Sequence, residues 1–178
     1  ISAATAGAVF GLGRPIEFIG TAAAQKSDGP MKYKTFKLGD LQVTTVYDGV
    51  WEKAHDPGFV KNASLDDVKK ALAAAKLTEA HVPIPFTVTV VKRGNDYIMF
   101  DSSTGGQVAP KAGEFLANLK AAGIDAKKIK TIVVTHYHAD HISGLMEKGT
   151  NIPVYPDAEI IVPAVEHKFW SDPAVTAK

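Results

Sequence analysis

Three of the six histidines fall within six consecutive residues, His136-Tyr137-His138-Ala139-Asp140-His141. His136 and His138 are two apart, so in extended backbone both rings leave on the same side of the chain. Two imidazoles converging there suit Zn²⁺ or a similar borderline cation, at about 2.0–2.1 Å per bond. Asp140 and His141 follow a change of chain direction and add a carboxylate and a further imidazole. Four ligand-type side chains are more than one first-row ion takes from one loop. Two neighbouring ions sharing the loop, about 3.5–4 Å apart, are the simpler geometry. The competing reading is a polar surface loop that happens to be rich in histidine. The apolar, β-branched run 130–135 directly before it argues otherwise, because α/β folds place functional groups on loops that follow buried strands. Cysteine is absent, which excludes a thiolate ligand, a cysteine nucleophile and a disulfide framework.

The elements that must hold this loop are legible around it. Residues 33–38 and 41–47 are β-type runs about Gly39-Asp40, with Val43, Thr45 and Tyr47 on one side and Thr44 and Val46 on the other. Asp48-Gly49 then punctuates. A helix begins after Ser64 and runs to about Lys76, with Leu65, Val68, Leu72 and Ala75 at three- and four-residue steps. Strands over 86–92 and 96–100 flank a Gly94-Asn95 turn. A second helix is expected over 108–122, with Phe115, Leu116 and Leu119 as its apolar face and Gly123 as its cap. Short strands are expected at 130–135, 154–155 and 159–162, and a short helix at 164–170. Hairpins dominate early and strands alternate with helices later, which predicts an α/β layered fold.

The stretch Thr135-His136-Tyr137-His138-Ala139-Asp140-His141-Ile142-Ser143-Gly144 resembles the signature of the metallo-β-lactamase-fold hydrolases. The run Ile98-Met99-Phe100-Asp101-Ser102-Ser103-Thr104-Gly105 is similar to that family's strand ending in an aspartate-and-glycine turn. Ala122-Gly123-Ile124-Asp125 fits the approach to the motif. The resemblance covers about Lys32 to Lys178 and, within the superfamily, is nearest the methyl parathion hydrolase and lactonase branch. It implies an αββα sandwich of which only the N-terminal half is present. It implies two divalent ions, Zn²⁺ first and Mn²⁺, Fe²⁺ or Co²⁺ as alternatives. His136 and His138 would bind the first ion, and Asp140 and His141 the second. Asp101 would orient the histidine loop, and Asp140 would also pass a proton to the leaving group. On the residues alone Asp101 is equally a strand-end turn residue. A metal-bound hydroxide attacking a phosphotriester or lactone is the chemistry the resemblance implies.

The family pattern also needs a further histidine, a bridging aspartate and a later histidine, and in the 37 residues after His141 the only obvious candidates are Asp157 and His167. Asp157 reads as a turn residue and His167 as a surface or packing histidine. The alternative function is therefore a catalytically incompetent fragment, or truncated paralogue, that binds metal weakly or associates with a partner. His55 and His81 read as structural or solvated. Phe169 and Trp170 are weak candidates for a substrate wall, with the buried face of the last helix as the favoured reading.

The chain has 178 residues with 20 Lys plus Arg against 19 Asp plus Glu, so its net charge of +1 gives no electropositive footprint for nucleic acid. Residues 1–25 are small and apolar and end in an Ala22-x-Ala24 pattern, like the remnant of a secretory signal peptide. That predicts a periplasmic or secreted protein, with the cytoplasm as the alternative. Residues 26–31 read as a linker and 32–178 as the N-terminal part of the domain. No segment is long and apolar enough to span a bilayer. The expected partner is a small ester-type molecule, and an exposed sheet edge makes homodimerisation a further expectation.

Overall fold

Val and Thr fill residues 43–46 and 87–91, and the stretches that carry them, 41–53 and 82–93, are long strands. The computed structural model describes residues 31–176. In chain order the elements are β1 (Tyr33–Leu38), β2 (Leu41–Lys53), α1 (Leu65–Ala74), β3 (Val82–Arg93), β4 (Asp96–Phe100), β5 (Lys111–Ala112), α2 (Phe115–Ala121), β6 (Ile129–Val133), α3 (Ala139–Ile142), β7 (Glu159–Ile161), α4 (Ala164–Trp170) and α5 (Pro173–Thr176). The expectations for residues 1–25, and for all but the last residue of 26–31, lie outside the described residues. Among the described residues no helix is long and apolar enough to cross a membrane.

The strands form one seven-stranded sheet in the order β1-β2-β3-β4-β6-β7, with β5 paired to β2 off that path. The first four are antiparallel neighbours, while β6 runs parallel to both β4 and β7. On one face Val46, Val88, Val90, Met99 and Ile132 are each at most 3% exposed and pack with Phe115 and Leu119 of α2. Burying one such side chain contributes about 1.5–3 kcal/mol, so this seam of strand and helix is what fixes the sheet's position under α2. On the opposite face Thr45, Thr89, Phe100, Val133 and Ile161 share one register row, and Phe100 and Ile161 are exposed. One mixed sheet with its helix on the buried face is the α/β half-sandwich that the sequence predicts.

Several local expectations are corrected. The strand 41–47 continues to Lys53, because Asp48-Gly49 makes a bulge and not a stop. Gly49 has φ +141°, and a Cβ there would lie 2.2 Å from the Lys111 carbonyl oxygen. The strand 86–92 begins earlier, at Val82, despite Pro83 and Pro85. Those prolines are tolerated because β4 pairs only with Thr89–Arg93, leaving one edge of 82–88 without a ladder to break. The helix expected over 108–122 is only Phe115–Ala121, because Lys111–Ala112 pairs with Gly49 and Val50 instead. Its Leu116 is exposed, and Asn118 takes the expected place on the buried face, donating to the Tyr47 carbonyl at 2.9 Å. The strand expected at 154–155 is absent. A lone bridge joins Met146 to Pro153, and prolines on both sides limit the ladder. Helix α1 forms where Ser64 caps it, accepting from Asp67 N, but buries none of its residues.

Candidate metal centre

Because β4 and β6 are adjacent and parallel, the loops leaving their C-terminal ends must meet. Asp101 leaves β4 and Thr135 to His141 leave β6. Asp101 N donates to the Val133 carbonyl at 2.9 Å. Its Oδ1 accepts from Thr135 N at 2.7 Å, and its Oδ2 accepts from Thr135 Oγ1 at 2.9 Å and His141 Nδ1 at 2.7 Å. Asp101 does this with φ +62°, and Ser103 has φ +75°. Both lie in the left-handed region that non-glycine residues enter at a cost, and such strain gathers at functional loops. Next to it, Ser102 N and Ser102 Oγ both donate to the His141 carbonyl, at 2.7 and 2.9 Å. Gly144 N donates to the Ser103 carbonyl at 3.1 Å. A Cβ at Gly144 would sit 1.9 Å from the Ser102 carbonyl oxygen, so the two loops can touch only with glycine at this position.

These bonds choose ring tautomers. His141 donates its Nδ1–H to Asp101, so its Nε2 keeps the lone pair. Thr135 Oγ1 gives its proton to Asp101 and therefore accepts from His136 Nδ1 at 3.0 Å. The lone pair of His136 is then on Nε2 as well. That nitrogen accepts from His138 Nδ1 at 3.0 Å, through a proton that a bound ion would displace, and His141 Nε2 faces Asp140 Oδ2 at 3.3 Å. Two donors on one tetrahedral zinc lie about 3.3 Å apart, given bonds of about 2.0–2.1 Å. The loop thus presents two donor pairs with ligand-like separation and ligand chemistry. Among the described residues no three His, Cys, Asp or Glu side chains gather so that they could hold one ion. The rings themselves are close, with His136 4.6 Å from His138 and 4.0 Å from His141 between centroids. Asp101, Asp140 and His141 open onto a cavity of about 180 Å³ whose far wall is β3, from Ile84 to Val88. That wall is the stretch of β3 that β4 leaves unpaired.

The other candidates separate from this centre. Asp157 pairs with Lys130 at 3.6 Å, and His167 is exposed on α4. His55 Nε2 meets the Glu79 carbonyl at 2.8 Å, and His81 approaches Glu52 at 3.6 Å. Phe169 and Trp170 are 55% and 41% exposed, and α4 has no buried residue, which corrects the favoured expectation of a buried helix face.

Two residues that support the loops were missed. Asp48 is 0% exposed. Its Oδ2 accepts from Thr104 N at 3.1 Å and from Thr104 Oγ1, and its Oδ1 accepts from Phe115 N at 2.9 Å. It therefore ties the 101–107 loop to the first turn of α2. A signal existed: Thr44, Val46 and Asp48 share the buried face at a period of two, and a charge there needs an internal partner. The second is Glu166, whose Oε2 accepts from Tyr137 N at 2.9 Å and Trp170 Nε1 at 3.2 Å.

Comparison with known proteins follows the same line. The family model described as the metallo-beta-lactamase superfamily matches residues 83–173. The solved structure of AidC, a dizinc quorum-quenching lactonase in complex with a product, N-hexnoyl-L-homoserine, is similar at 28% identity with a TM-score of 0.71, over 78% of this chain and 47% of that one. The hydrolase AbOPH of the beta lactamase superfamily is similar at 28% identity with a TM-score of 0.74, over 84% of this chain and 50% of that one. Ribonuclease Z from Agathobacter rectalis is 37% identical over 71 residues, which is 38% of this chain and 20% of that protein. The chain therefore spans about half the length of the two solved structures and a fifth of the curated relative.

Proposed function

The chain belongs to the metallo-beta-lactamase superfamily, and from that premise we propose that it is a metal-dependent hydrolase of a small ester-type molecule, a phosphotriester or a lactone. The observation that carries this reading is the pair of donor pairs, at 3.0 and 3.3 Å, hung from one loop with their tautomers set by Asp101 and Thr135. His136 Nε2 and His138 Nδ1 would hold one divalent ion, and Asp140 Oδ2 and His141 Nε2 a second. Bound divalent ions supply an acidified water and polarise the ester's electrophilic centre. The chain's own groups do the rest. Asp101 holds His141 in the tautomer that leaves Nε2 free. The β3 wall excludes water from one side of the cavity and receives the body of the ester. Asp140, which also lines the cavity, would take up on its Oδ1 the proton released by the attacking water and pass it to the departing oxygen. The similarity to a dizinc lactonase supports the ester class, and that to AbOPH supports a hydrolase.

The test is hydrolysis of a chromogenic phosphotriester and of an acyl lactone by the zinc-loaded chain, beside His136→Ala and Asp140→Ala. Turnover lost in both variants supports the reading, and turnover retained in both sinks it. A second reading is a chain that takes up ions weakly and does no hydrolysis, and the grouping of donors as pairs favours it. Ion uptake without turnover of either ester would select that reading. The small, apolar residues 1–25 extend the proposal to a periplasmic or secreted protein, checked by sequencing the mature N-terminus after expression with export.

A further inference from the structure

We infer that Glu166 is a positioning residue for the His136–His138 pair, clamping the peptide between the two histidines with its carboxylate aimed by Trp170. This rests on the reading of that pair as metal donors. The amide that Glu166 accepts belongs to Tyr137, the residue between them, at 2.9 Å. Tyr137 is held on its other side too, since its ring packs against the hydrophobic core. Ring into the core and N–H onto Glu166 leave this peptide one orientation, and the histidines on either side then share the opposite side of the chain. A carboxylate bond is the stronger kind for such a clamp. Glu166 is itself held. Trp170 lies four residues on, one turn along α4, so its indole N–H reaches the same oxygen at 3.2 Å. The helix thereby fixes the loop at its midpoint, while Asp101 fixes it at Thr135 and His141. Trp170 thus has a structural duty besides whatever its exposed ring touches.

The test uses the full 178-residue chain as wild type, Glu166→Ala, Glu166→Gln and Trp170→Phe. Two quantities are read: hydrogen exchange at the Tyr137 amide without added ion, and Co²⁺ affinity by chelator competition. Glu166→Ala should speed Tyr137 exchange about tenfold and weaken Co²⁺ binding about tenfold. Glu166→Gln, whose amide oxygen still accepts both N–H groups, should stay within about threefold of wild type in each. Trp170→Phe keeps a ring and loses the donor, and should fall between. Unchanged exchange and affinity in Glu166→Ala would overturn the inference, as would Glu166→Gln behaving like Glu166→Ala. If Glu166→Ala does not fold, Trp170→Phe against Glu166→Gln decides the same point. If wild type binds no Co²⁺, the metal reading fails by itself, while Tyr137 exchange still judges the clamp.

Discussion

Replacing Asp48 by Asn tests the internal anchor of the site loops with little change of shape. Three donors converge on this carboxylate, Thr104 N, Thr104 Oγ1 and Phe115 N, at a residue with 0% exposure. Both oxygens are in use. The carboxamide keeps one acceptor oxygen and turns an N–H₂ group toward a donor on the other side. The variant loses at least one charge-assisted bond, about 1.5–3 kcal/mol, and strands a buried donor at a further 1–3 kcal/mol. We expect a loss of about 3–5 kcal/mol, a large part of the roughly 5–15 kcal/mol that holds a domain of this kind together. The assay is urea unfolding followed by circular dichroism, with Cm and slope compared against the parent. Asp40→Asn, in the exposed turn between β1 and β2, is the control and should change stability by less than about 0.5 kcal/mol. An Asp48→Asn chain within about 1 kcal/mol of the parent would refute the assignment of Asp48 as the anchor.

Other outcomes follow from the same geometry. Gly144→Ala should lose ion binding together with stability, seen by calorimetry, because its Cβ would meet the Ser102 carbonyl at 1.9 Å. Asp101→Asn should keep the bond to Thr135 N but turn its N–H₂ toward Thr135 Oγ1 and His141 Nδ1, disturbing the tautomers of His136 and His141 and weakening ion affinity at both pairs about 10- to 100-fold in chelator competition. Leu119→Ala, which opens a hole under the sheet at a 1% exposed position, should cost about 2–5 kcal/mol in urea unfolding. Burial, and then the Asp48 charge, push the Tyr155 phenol above its ordinary value. Its stabilising contribution is therefore full below about pH 10, where the phenol is neutral even unfolded, and is lost as pH rises beyond that. An ultraviolet titration should find Tyr155 ionising only as the chain unfolds.

The donor loop was legible because its chemistry is dense and local. Four ligand-type residues in six, placed after an apolar strand, need no tertiary information to be noticed. The pairing of His136 with His138 was legible too, since period two in extended backbone is a local rule. The partners across the fold were harder. A contact between Asp101 and the histidine loop is expected only through resemblance, because nothing local distinguishes an anchor from a turn residue. Its role depends on β4 and β6 being adjacent and parallel, which no single stretch states. Asp48 reads as punctuation because Asp-Gly reads as a turn, although its phase in the strand places it inside. The second helix is shorter than its apolar spacing suggests. Pro110 and Gly113 already weaken a helix over 108–114, and the pairing of Lys111–Ala112 with β2 removes it. Glu166 looked like one more surface acid, and its partner is a backbone amide that leaves no trace in composition.

The proposed function turns on two separate donor pairs in one loop. The direct measurement is zinc content per chain by equilibrium dialysis and elemental analysis, for wild type, a His136→Ala/His138→Ala double variant and an Asp140→Ala/His141→Ala double variant. The predicted result is two sites in the wild type, with one lost in each double variant and the other kept. Zinc uptake unchanged in both double variants, or none in the wild type, would contradict it.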